Sequence, residues 1–294
     1  MATTDTPGAE AAAFYRQHGW YATGTVLPDE LLDRANDVLS GLDADHRDLE
    51  PPASMKEFLA WPAGEPRPTR LNQYIALQYR AMADLAAHPA LARTAALLTG
   101  SSRLRIFNTA LIRKRPGAAR QYARVGWHCD RAYWSTCSSD RMTTAWVPLQ
   151  DTTVSMGTLT VLDGSHTWPD TAEISALRTA RTFVTEDHDA LWSRLDSLRS
   201  EAVTVDVRRI ELRRGQVSFH HPLTVHGSGA NHGAIARNAI SVHYQDAANR
   251  YLPATEADGT PASYVHDEFV RRLPNGEPDY ADPEICPPVW PPAG

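Results

Sequence analysis

Two stretches of the sequence decide the fold: VGWHCDRAYW at residues 125–134 and GQVSFHHPLTVHGSGANHGAIARNAISVHY at residues 215–244. Both contain short runs of apolar, β-branched and aromatic residues interrupted by glycine, proline or asparagine, which is the pattern of short strands joined by tight turns. Residues 104–114, 142–150 and 157–166 contain comparable runs. The central part of the chain is therefore predicted to consist mostly of strands.

The N-terminal part has a different periodicity. Residues 27–42 and 79–100 place apolar side chains three and four positions apart, which predicts helices that each bury one face. Gly100 is predicted to end the second of these segments, because glycine favours the helix C-cap. Residues 43–68 contain several prolines and are predicted to form a loop.

The whole chain is predicted to form a single domain over residues 1–294, a length that one strand-rich domain can reach. Within it we expect a helical part at residues 1–100 and a strand-rich core at 101–250. A polar, helical insertion is expected at 170–200. Residues 251–294 are rich in proline and are expected to wrap over the domain as an irregular tail.

Composition excludes several classes of protein. The hydrophobic fraction of 42% and the charged fraction of 22% are ordinary for a folded protein, which argues against disorder. A net charge of −6 argues against a nucleic-acid partner. No apolar run approaches the roughly 18 residues of a membrane helix, and the N-terminus lacks a secretory signal. The three cysteines are too few for a disulfide framework, so we expect a cytoplasmic protein without a membrane partner.

Two His-x-Asp triplets are candidate metal ligands. The triplet that begins at His46 lies in a polar loop and is interpreted as solvated. His128 and Asp130 lie in the strand-rich zone, where alternate side chains share one face. These two residues could therefore supply two members of the 2-His-1-carboxylate set of non-haem iron enzymes. The alternative is a buried histidine that is satisfied by a neighbouring carboxylate.

A third ligand must come from elsewhere in the chain. The stretch 215–244 offers five candidate histidines: His220, His221, His226, His232 and His243. His226 is the best of them, because it follows an apolar run and precedes a Gly-Ser-Gly turn that lets the backbone approach a ligand. A structural role is favoured for His220 and His221, although one of the two could line a pocket.

Arg237 follows His226 by 11 positions and opens the next predicted strand. An isolated arginine is usually a surface residue. An arginine that points into a barrel interior needs an anion, because an unpaired buried charge is costly. Its planar guanidinium suits a carboxylate, so we interpret Arg237 as a ligand clamp.

These residues resemble the phytanoyl-CoA hydroxylase-like family of Fe(II)- and 2-oxoglutarate-dependent dioxygenases. The resemblance covers most of the chain and depends on the order of four segments. They are FYRQHGWYATGTVLPDELLDRA at 14–35, LIRKRPG at 111–117 followed by WHCD at 127–130, AWVPLQDTTVSMGTLTVLDGSH at 145–166, and the stretch 215–244.

The resemblance implies a mainly β fold with flanking helices, a double-stranded β-helix of the jelly-roll, cupin-like type. It implies that His128, Asp130 and His226 hold Fe(II) and that Arg237 binds the distal carboxylate of 2-oxoglutarate. It further implies supporting contacts to this co-substrate from three residues: Ser228, Trp146 and Asn108. Dioxygen would be the other co-substrate.

A small-molecule substrate would sit over the iron, so the residues around the metal strand are its candidate contacts: Trp127, Arg131, Tyr133 and Trp134. Core packing is the alternative for the tryptophans. The insertion at 170–200 is expected to act as a lid or to form a solvated helix pair. The arginine-rich composition is typical of a GC-rich genome, and family members in such organisms often serve antibiotic biosynthesis.

From the candidate residues and the resemblance, we expect the protein to be an oxygenase that hydroxylates an unactivated C–H bond of a natural-product intermediate. The same ferryl chemistry could give epimerisation, desaturation or ring closure instead. A jelly-roll binding module without turnover is the alternative from another class. The sequence does not reveal the oligomeric state.

Overall fold

The computed structural model describes residues 7–42, 46–59, 69–117, 124–179, 181, 198, 203–256 and 259–292. Helices within these ranges are α1 (Ala9–His18), α2 (Asp29–Gly41), α3 (Lys56–Leu59), α4 (Arg80–Ala86), α5 (Pro89–Thr99), α6 (Ala172–Thr179) and α7 (His266–Phe269). None of the helices in the described part of the chain has the length and hydropathy needed to cross a membrane.

Strands make up the centre of the molecule. They are β1 (Trp20–Ala22), β2 (Thr69–Gln73), β3 (Leu104–Lys114), β4 (Val125–His128), β5 (Met142–Pro148), β6 (Leu159–Leu162), β7 (Val207–Arg209), β8 (Ser218–His220), β9 (His226–Ser228), β10 (Arg237–Asp246) and β11 (Pro288–Trp290). The larger sheet has the order β1-β8-β5-β10-β3-β11, with β2 also paired to β3, and the smaller sheet has the order β4-β9-β6-β7. All the described strand pairs are antiparallel. The predicted mainly β, cupin-like fold with flanking helices is confirmed.

The larger sheet presents two chemically different faces because its side chains alternate. On β10, Ile240 and Val242 belong to the main apolar core, together with Ala145 and Val147 of β5. Helices α1, α2, α4 and α5 contribute many of the other residues of that core, so they cover the outer face of the sheet. The remaining side chains of each strand, which alternate with those of the core, form the inner face. This face is directed toward the smaller sheet.

The inner face is arranged in rows, since the pairing places residues of neighbouring strands side by side. One row is His220, Thr144, His243 and Asn108, from β8, β5, β10 and β3 in turn. The next row is Ser218, Trp146, Ser241, Ala110 and Gln73, and it extends onto β2. Arg237 pairs with Lys114 at the far end of β10. Polar side chains are thus placed inside the fold by strand alternation.

A β-bulge interrupts β3 beside the first of these rows. His243 pairs with Asn108 and Tyr244 pairs with Ile106, so Phe107 is an extra residue with no partner on β10. Bulges re-aim the side chains around them. Phe107 accordingly packs with Trp134 in a second apolar cluster that the C-terminal tail covers.

The helical predictions for the N-terminal part are confirmed in outline. Residues 79–100 form two helices instead of one, because Pro89 begins a new helix at its first position. Gly100 ends it with a left-handed φ of 67°. The expected loop at 43–68 contains α3 within its described residues, and β1 and β2 add strands to a region that was predicted to be mainly helical.

The insertion and the tail are only partly described. The insertion contains α6 at its start, and most of residues 180–202 lie outside the described residues, so the expected lid stays untested. The tail contains α7, and its strand β11 pairs with β3 at the edge of the larger sheet. The part of the tail from residue 259 to 292 therefore lies against the core.

One glycine is required by a close approach between loops. Gly157 has a left-handed φ of 68°, and a Cβ atom added there would overlap the carbonyl oxygens of Gly229 and Ala230. We expect Gly157→Ala to lower the free energy of unfolding by about 1–3 kcal/mol, through backbone strain and this overlap. Urea unfolding measures the change. Gly229→Ala is the matched control, since a Cβ atom there would have no neighbour within 4 Å; an equal loss in both variants would refute the explanation.

Candidate metal centre

His128 and Asp130 come from the end of β4 and the turn that follows it. The strand stops at His128, Cys129 keeps an extended backbone with φ −109° and ψ 139°, and Asp130 begins a short 3-10 helix. Asp130 is therefore not on a strand, contrary to the prediction. The extended Cys129 still lets His128 and Asp130 point to the same side, while the Cys129 side chain joins an apolar cluster on the other side.

His226 begins β9, which pairs with β4 so that His226 lies opposite His128. The two imidazole rings are 4.2 Å apart between centroids. Asp130 Oδ1 lies 3.8 Å from His128 Nε2 and 3.6 Å from His226 Nε2. One ligand atom from each of the three residues lies within 4.8 Å of the others. The structure thus brings the three predicted ligands together and leaves His46 exposed in its loop.

Both histidines are oriented in the same way. Nδ1 of His128 donates to the carbonyl of Gly126 at 2.7 Å, and Nδ1 of His226 donates to the carbonyl of Thr224 at 2.9 Å. Each Nε2 is then left with its lone pair directed at the cluster. Burial lowers the pKa of His128 and, more strongly, the pKa of His226. Neutral imidazole is the form that binds a metal.

The two oxygens of Asp130 have separate partners. Oδ2 accepts hydrogen bonds from Thr144 and, at 3.1 Å, from Nε2 of His220. Oδ1 faces the two histidines. Burial would raise the pKa of Asp130, but the hydrogen bond from His220 favours the ionised carboxylate, and the pKa lies well below its ordinary value. A carboxylate with one oxygen held by the protein and one directed at two imidazoles fits a divalent metal ion.

These three residues lie at the wall of a cavity of about 190 Å³ between the two sheets. The cavity is also lined by residues from both sheets and from the tail, among them Leu71, Gln73, Asn108, Ile112, Tyr133, Trp134, Thr144, Trp146, Leu159, His220, Ser228, Arg237, Ser241, His243 and Tyr264. Apolar side chains form much of the wall, with polar groups at intervals, as in most small-molecule sites.

Arg237 is the least satisfied group in this cavity. It is 1% exposed, and its Nε, Nη1 and Nη2 atoms are buried without a hydrogen-bond partner among the described residues. Burial lowers the pKa of Arg237 to about 9, so the guanidinium remains charged at neutral pH. It lies 5.5 Å from the centre of the Trp146 ring. A buried, charged and unpaired guanidinium implies an anionic ligand, because the charge is otherwise uncompensated.

Ser228 lines the same cavity as Arg237 and is held by a second buried cation. Lys114 Nζ donates to Ser228 Oγ at 2.6 Å and to the Ser228 carbonyl at 3.0 Å. Burial lowers the pKa of Lys114 well below its ordinary value, and the charge of Arg237 adds to this effect. Because Ser228 Oγ accepts from Lys114, its own proton is available to a ligand. Asn108, the third residue expected to support the co-substrate, also lines the cavity, but its side-chain amide donates to the Tyr264 hydroxyl at 3.1 Å.

The four predicted substrate contacts divide into two pairs. Tyr133 and Trp134 line the cavity, and Tyr133 meets the ring of His128 edge-on at 5.9 Å. Trp127 alternates with His128 on β4 and therefore points out of the cavity, into a cluster with Trp168 and α6. The structure also places Arg131 outside the cavity lining. Trp127 and Arg131 therefore do not lie where a substrate contact needs them.

Arg131 instead stabilises the turn that contains Asp130. Its guanidinium donates to the carbonyls of Trp134 and, at 2.8 Å, of Cys137, and it lies 3.0 Å from Asp140. We expect Arg131→Met to lower the free energy of unfolding by about 1–3 kcal/mol, because carbonyls inside the turn lose their donor. Urea unfolding measures the loss, with Arg141→Met as an exposed control. An unchanged stability combined with a raised KM would instead indicate a substrate contact.

Three residues of the site were missed or undervalued by the sequence predictions. His220 lines the cavity and binds the metal-facing carboxylate, although a structural role was favoured for it. His243 was one of five candidates without a role, and strand alternation from Arg237 would have placed it on the inner face. Tyr264 comes from the irregular tail, where no periodicity points to it.

The comparisons with known proteins agree with this geometry. The family model described as phytanoyl-CoA dioxygenase (PhyH) matches residues 15–239. The peroxisomal phytanoyl-CoA dioxygenase of Bos taurus is 27% identical over 167 residues, which are 55% of this chain and 45% of that protein. The chain thus spans about half the length of this curated relative.

Solved structures give a longer match. The non-heme alpha ketoglutarate dependent epimerase SnoN from nogalamycin biosynthesis superimposes with a TM-score of 0.68 at 24% identity, over 97% of this chain and 96% of that one. A complex of SnoN with Fe3+, alpha ketoglutarate and nogalamycin RO gives a TM-score of 0.60 at 25% identity, over 87% and 96% of the two chains.

Proposed function

The chain belongs to the phytanoyl-CoA dioxygenase family, and from that premise we propose that it is an Fe(II)- and 2-oxoglutarate-dependent oxygenase. The observation that carries the proposal is the pairing of two features in one cavity. Two neutral imidazoles and a carboxylate converge at one wall, and an unpaired buried guanidinium faces the same space.

The residues at the metal centre fit Fe(II). His128 and His226 would each bind it through Nε2, and Asp130 would bind it through Oδ1. This is the 2-His-1-carboxylate set that leaves positions open for other ligands. Bound iron with 2-oxoglutarate and dioxygen would supply the oxidising power to break an unactivated C–H bond. Hydroxylation would convert R–H, dioxygen and 2-oxoglutarate into R–OH, succinate and carbon dioxide.

The protein's own contribution is positioning and charge compensation. Arg237 would bind the distal carboxylate of 2-oxoglutarate in bidentate fashion, with the Trp146 ring beside it. Ser228 would donate its proton to the same carboxylate while Lys114 holds its oxygen. Thr144 and His220 would hold Oδ2 of Asp130 so that Oδ1 faces the metal. The apolar wall formed by Leu71, Ile112 and Leu159 would limit access of water.

The substrate is proposed to be a small natural-product intermediate, bound between Tyr133, Trp134 and the metal. The SnoN complex with nogalamycin RO supports this class, since it is a structural relative at 25% identity. Hydroxylation is the leading reaction, and epimerisation, desaturation and ring closure remain the alternatives. A cytoplasmic location is proposed as well, because the three cysteines are free and buried.

Succinate formation tests this function without knowledge of the substrate. We expect the purified protein to convert 2-oxoglutarate slowly to succinate when Fe(II) and dioxygen are present. A chelator should stop the reaction, added Fe(II) should restore it, and Zn(II) should not. Tight binding of 2-oxoglutarate without any succinate would contradict the oxygenase and favour a binding module.

A further inference from the structure

The part of the cavity wall that neither the metal nor the co-substrate would use has its own hydrogen-bonding pattern. It is formed by Asn108, Trp134, His243 and Tyr264, which all line the cavity. His243 and Asn108 are neighbours across β10 and β3. We call these four residues the polar wall. Its hydrogen bonds determine which donors and acceptors it offers to a substrate.

His243 presents an acceptor. Its Nδ1 lies 2.8 Å from Thr144 Oγ1. The hydroxyl proton of Thr144 is already used on Asp130 Oδ2, so Nδ1 of His243 must carry the proton and donate. Nε2 is then unprotonated, and it has no hydrogen-bond partner among the described residues. Burial lowers the pKa of His243 to about 4, which keeps the ring neutral near pH 7.

Tyr264 presents a donor. Its oxygen accepts a hydrogen bond from Asn108 Nδ2 at 3.1 Å. A phenol oxygen that accepts a hydrogen bond still has its own proton to give. The described residues provide no acceptor for that proton. The ring of Trp134, which also lines the cavity, meets that of His243 edge-on at 5.0 Å.

Charge limits the substrate further. Among the described residues that line the cavity, Asp130 and Arg237 carry the fixed charges, and the proposed function assigns them to the metal and to the co-substrate. No charged side chain of the described lining is left to pair with a charged substrate. A charged group would have to be desolvated here without compensation, which is costly.

We propose that the polar wall recognises a hydroxyl group on an uncharged substrate, with the hydroxyl donating to His243 Nε2 and accepting from Tyr264. This inference rests on the proposed function, because it takes the rest of the cavity to be filled by metal and co-substrate. It excludes a plain hydrocarbon chain as the substrate, because such a chain would leave both polar groups unsatisfied. It also excludes an acid or a phosphate, because their charge would be uncompensated.

Three probes that differ in one substituent test this recognition: β-naphthol, naphthalene and naphthalene-β-sulfonate. Binding is measured by equilibrium dialysis without oxygen, using protein loaded with Fe(II) and 2-oxoglutarate. We expect β-naphthol to bind about tenfold more tightly than naphthalene, as one or two neutral hydrogen bonds allow. The sulfonate should bind more weakly than either. Equal affinities for the first two probes, or tightest binding of the sulfonate, would overturn the proposal.

Two variants on different elements identify the groups responsible. His243→Asn retains a donor for Thr144 but removes the acceptor at Nε2, and Tyr264→Phe removes the donated proton. Each should weaken β-naphthol binding about fivefold to tenfold and leave naphthalene binding unchanged. His232→Asn and Tyr251→Phe, both away from the lining residues, are the matched controls. Unchanged β-naphthol binding in both wall variants would contradict the assignment.

The failure of this inference is distinguishable from failure of the proposed function. Thermal unfolding establishes that each variant is folded. Succinate formation reports on the metal and co-substrate, whereas the relative affinities of the three probes for the loaded protein report on the wall. Succinate formation together with no preference for β-naphthol would reject the polar wall and leave the oxygenase intact.

Discussion

Replacing His226 by alanine is expected to weaken Fe(II) binding at least about 100-fold and to abolish succinate formation. Changes to residues that merely support a metal ligand already cost about 10–100-fold in affinity, and this substitution removes a ligand itself. It also takes away the imidazole whose Nε2 lies 3.6 Å from Asp130 Oδ1. Metal content after gel filtration and anaerobic Fe(II) titration measure the effect.

A graded series makes this prediction sharper. Thr144→Val removes a hydrogen bond to Asp130 Oδ2 and keeps all three ligands, so it should weaken iron binding less than His226→Ala does. His46→Ala is the matched histidine control, because His46 is exposed in its loop, and its iron content should equal that of the unaltered protein. Retention of iron by His226→Ala, or its loss from a folded His46→Ala, would refute the assigned ligand set.

Replacing Arg237 by glutamine is expected to weaken 2-oxoglutarate binding about 30-fold or more while iron content stays near normal. Loss of one partner of a buried, charge-assisted pair costs about 2–5 kcal/mol, and each 1.4 kcal/mol is about a factor of ten. Anaerobic titration with 2-oxoglutarate measures the affinity. An unchanged affinity would show that another cation, with Lys114 the nearest candidate, binds the carboxylate.

Stability gives an independent readout of the same substitution. The guanidinium of Arg237 is buried without a partner among the described residues, so Arg237→Gln should leave the ligand-free protein as stable as before or more stable. Added 2-oxoglutarate should raise the Tm of the unaltered protein by mass action and should have little effect on the variant. Arg209→Gln, an exposed strand residue, should respond to 2-oxoglutarate like the unaltered protein.

Strand alternation explains why much of this site could be predicted from the sequence. His128 and His226 lie next to short apolar runs, and Arg237 opens one, so their positions in the sequence indicate where they sit in the fold. The same rule also places Trp127 outside the cavity, because it is adjacent to His128 on β4. The sequence pattern itself therefore argues against Trp127 as a substrate contact.

Other parts of the site depend on long-range packing that one sequence does not reveal. Tyr264 reaches the cavity from the tail and meets Asn108, which is 156 positions earlier in the chain. The bulge at Phe107 is visible only once β3 and β10 are paired. Arg131 follows Asp130 directly in the sequence, yet its guanidinium points away from the cavity and donates hydrogen bonds to the carbonyls of Trp134 and Cys137.

The central claim is that one cavity holds Fe(II) and 2-oxoglutarate together, and an anaerobic absorption titration tests it most directly. The Fe(II) chelate of 2-oxoglutarate has a visible charge-transfer band that neither component shows alone. We predict that this band appears with one equivalent of Fe(II) when both are added. It should be lost in His226→Ala, and in Arg237→Gln it should require a much higher concentration of 2-oxoglutarate. A protein that binds either component but never develops the band would contradict the account.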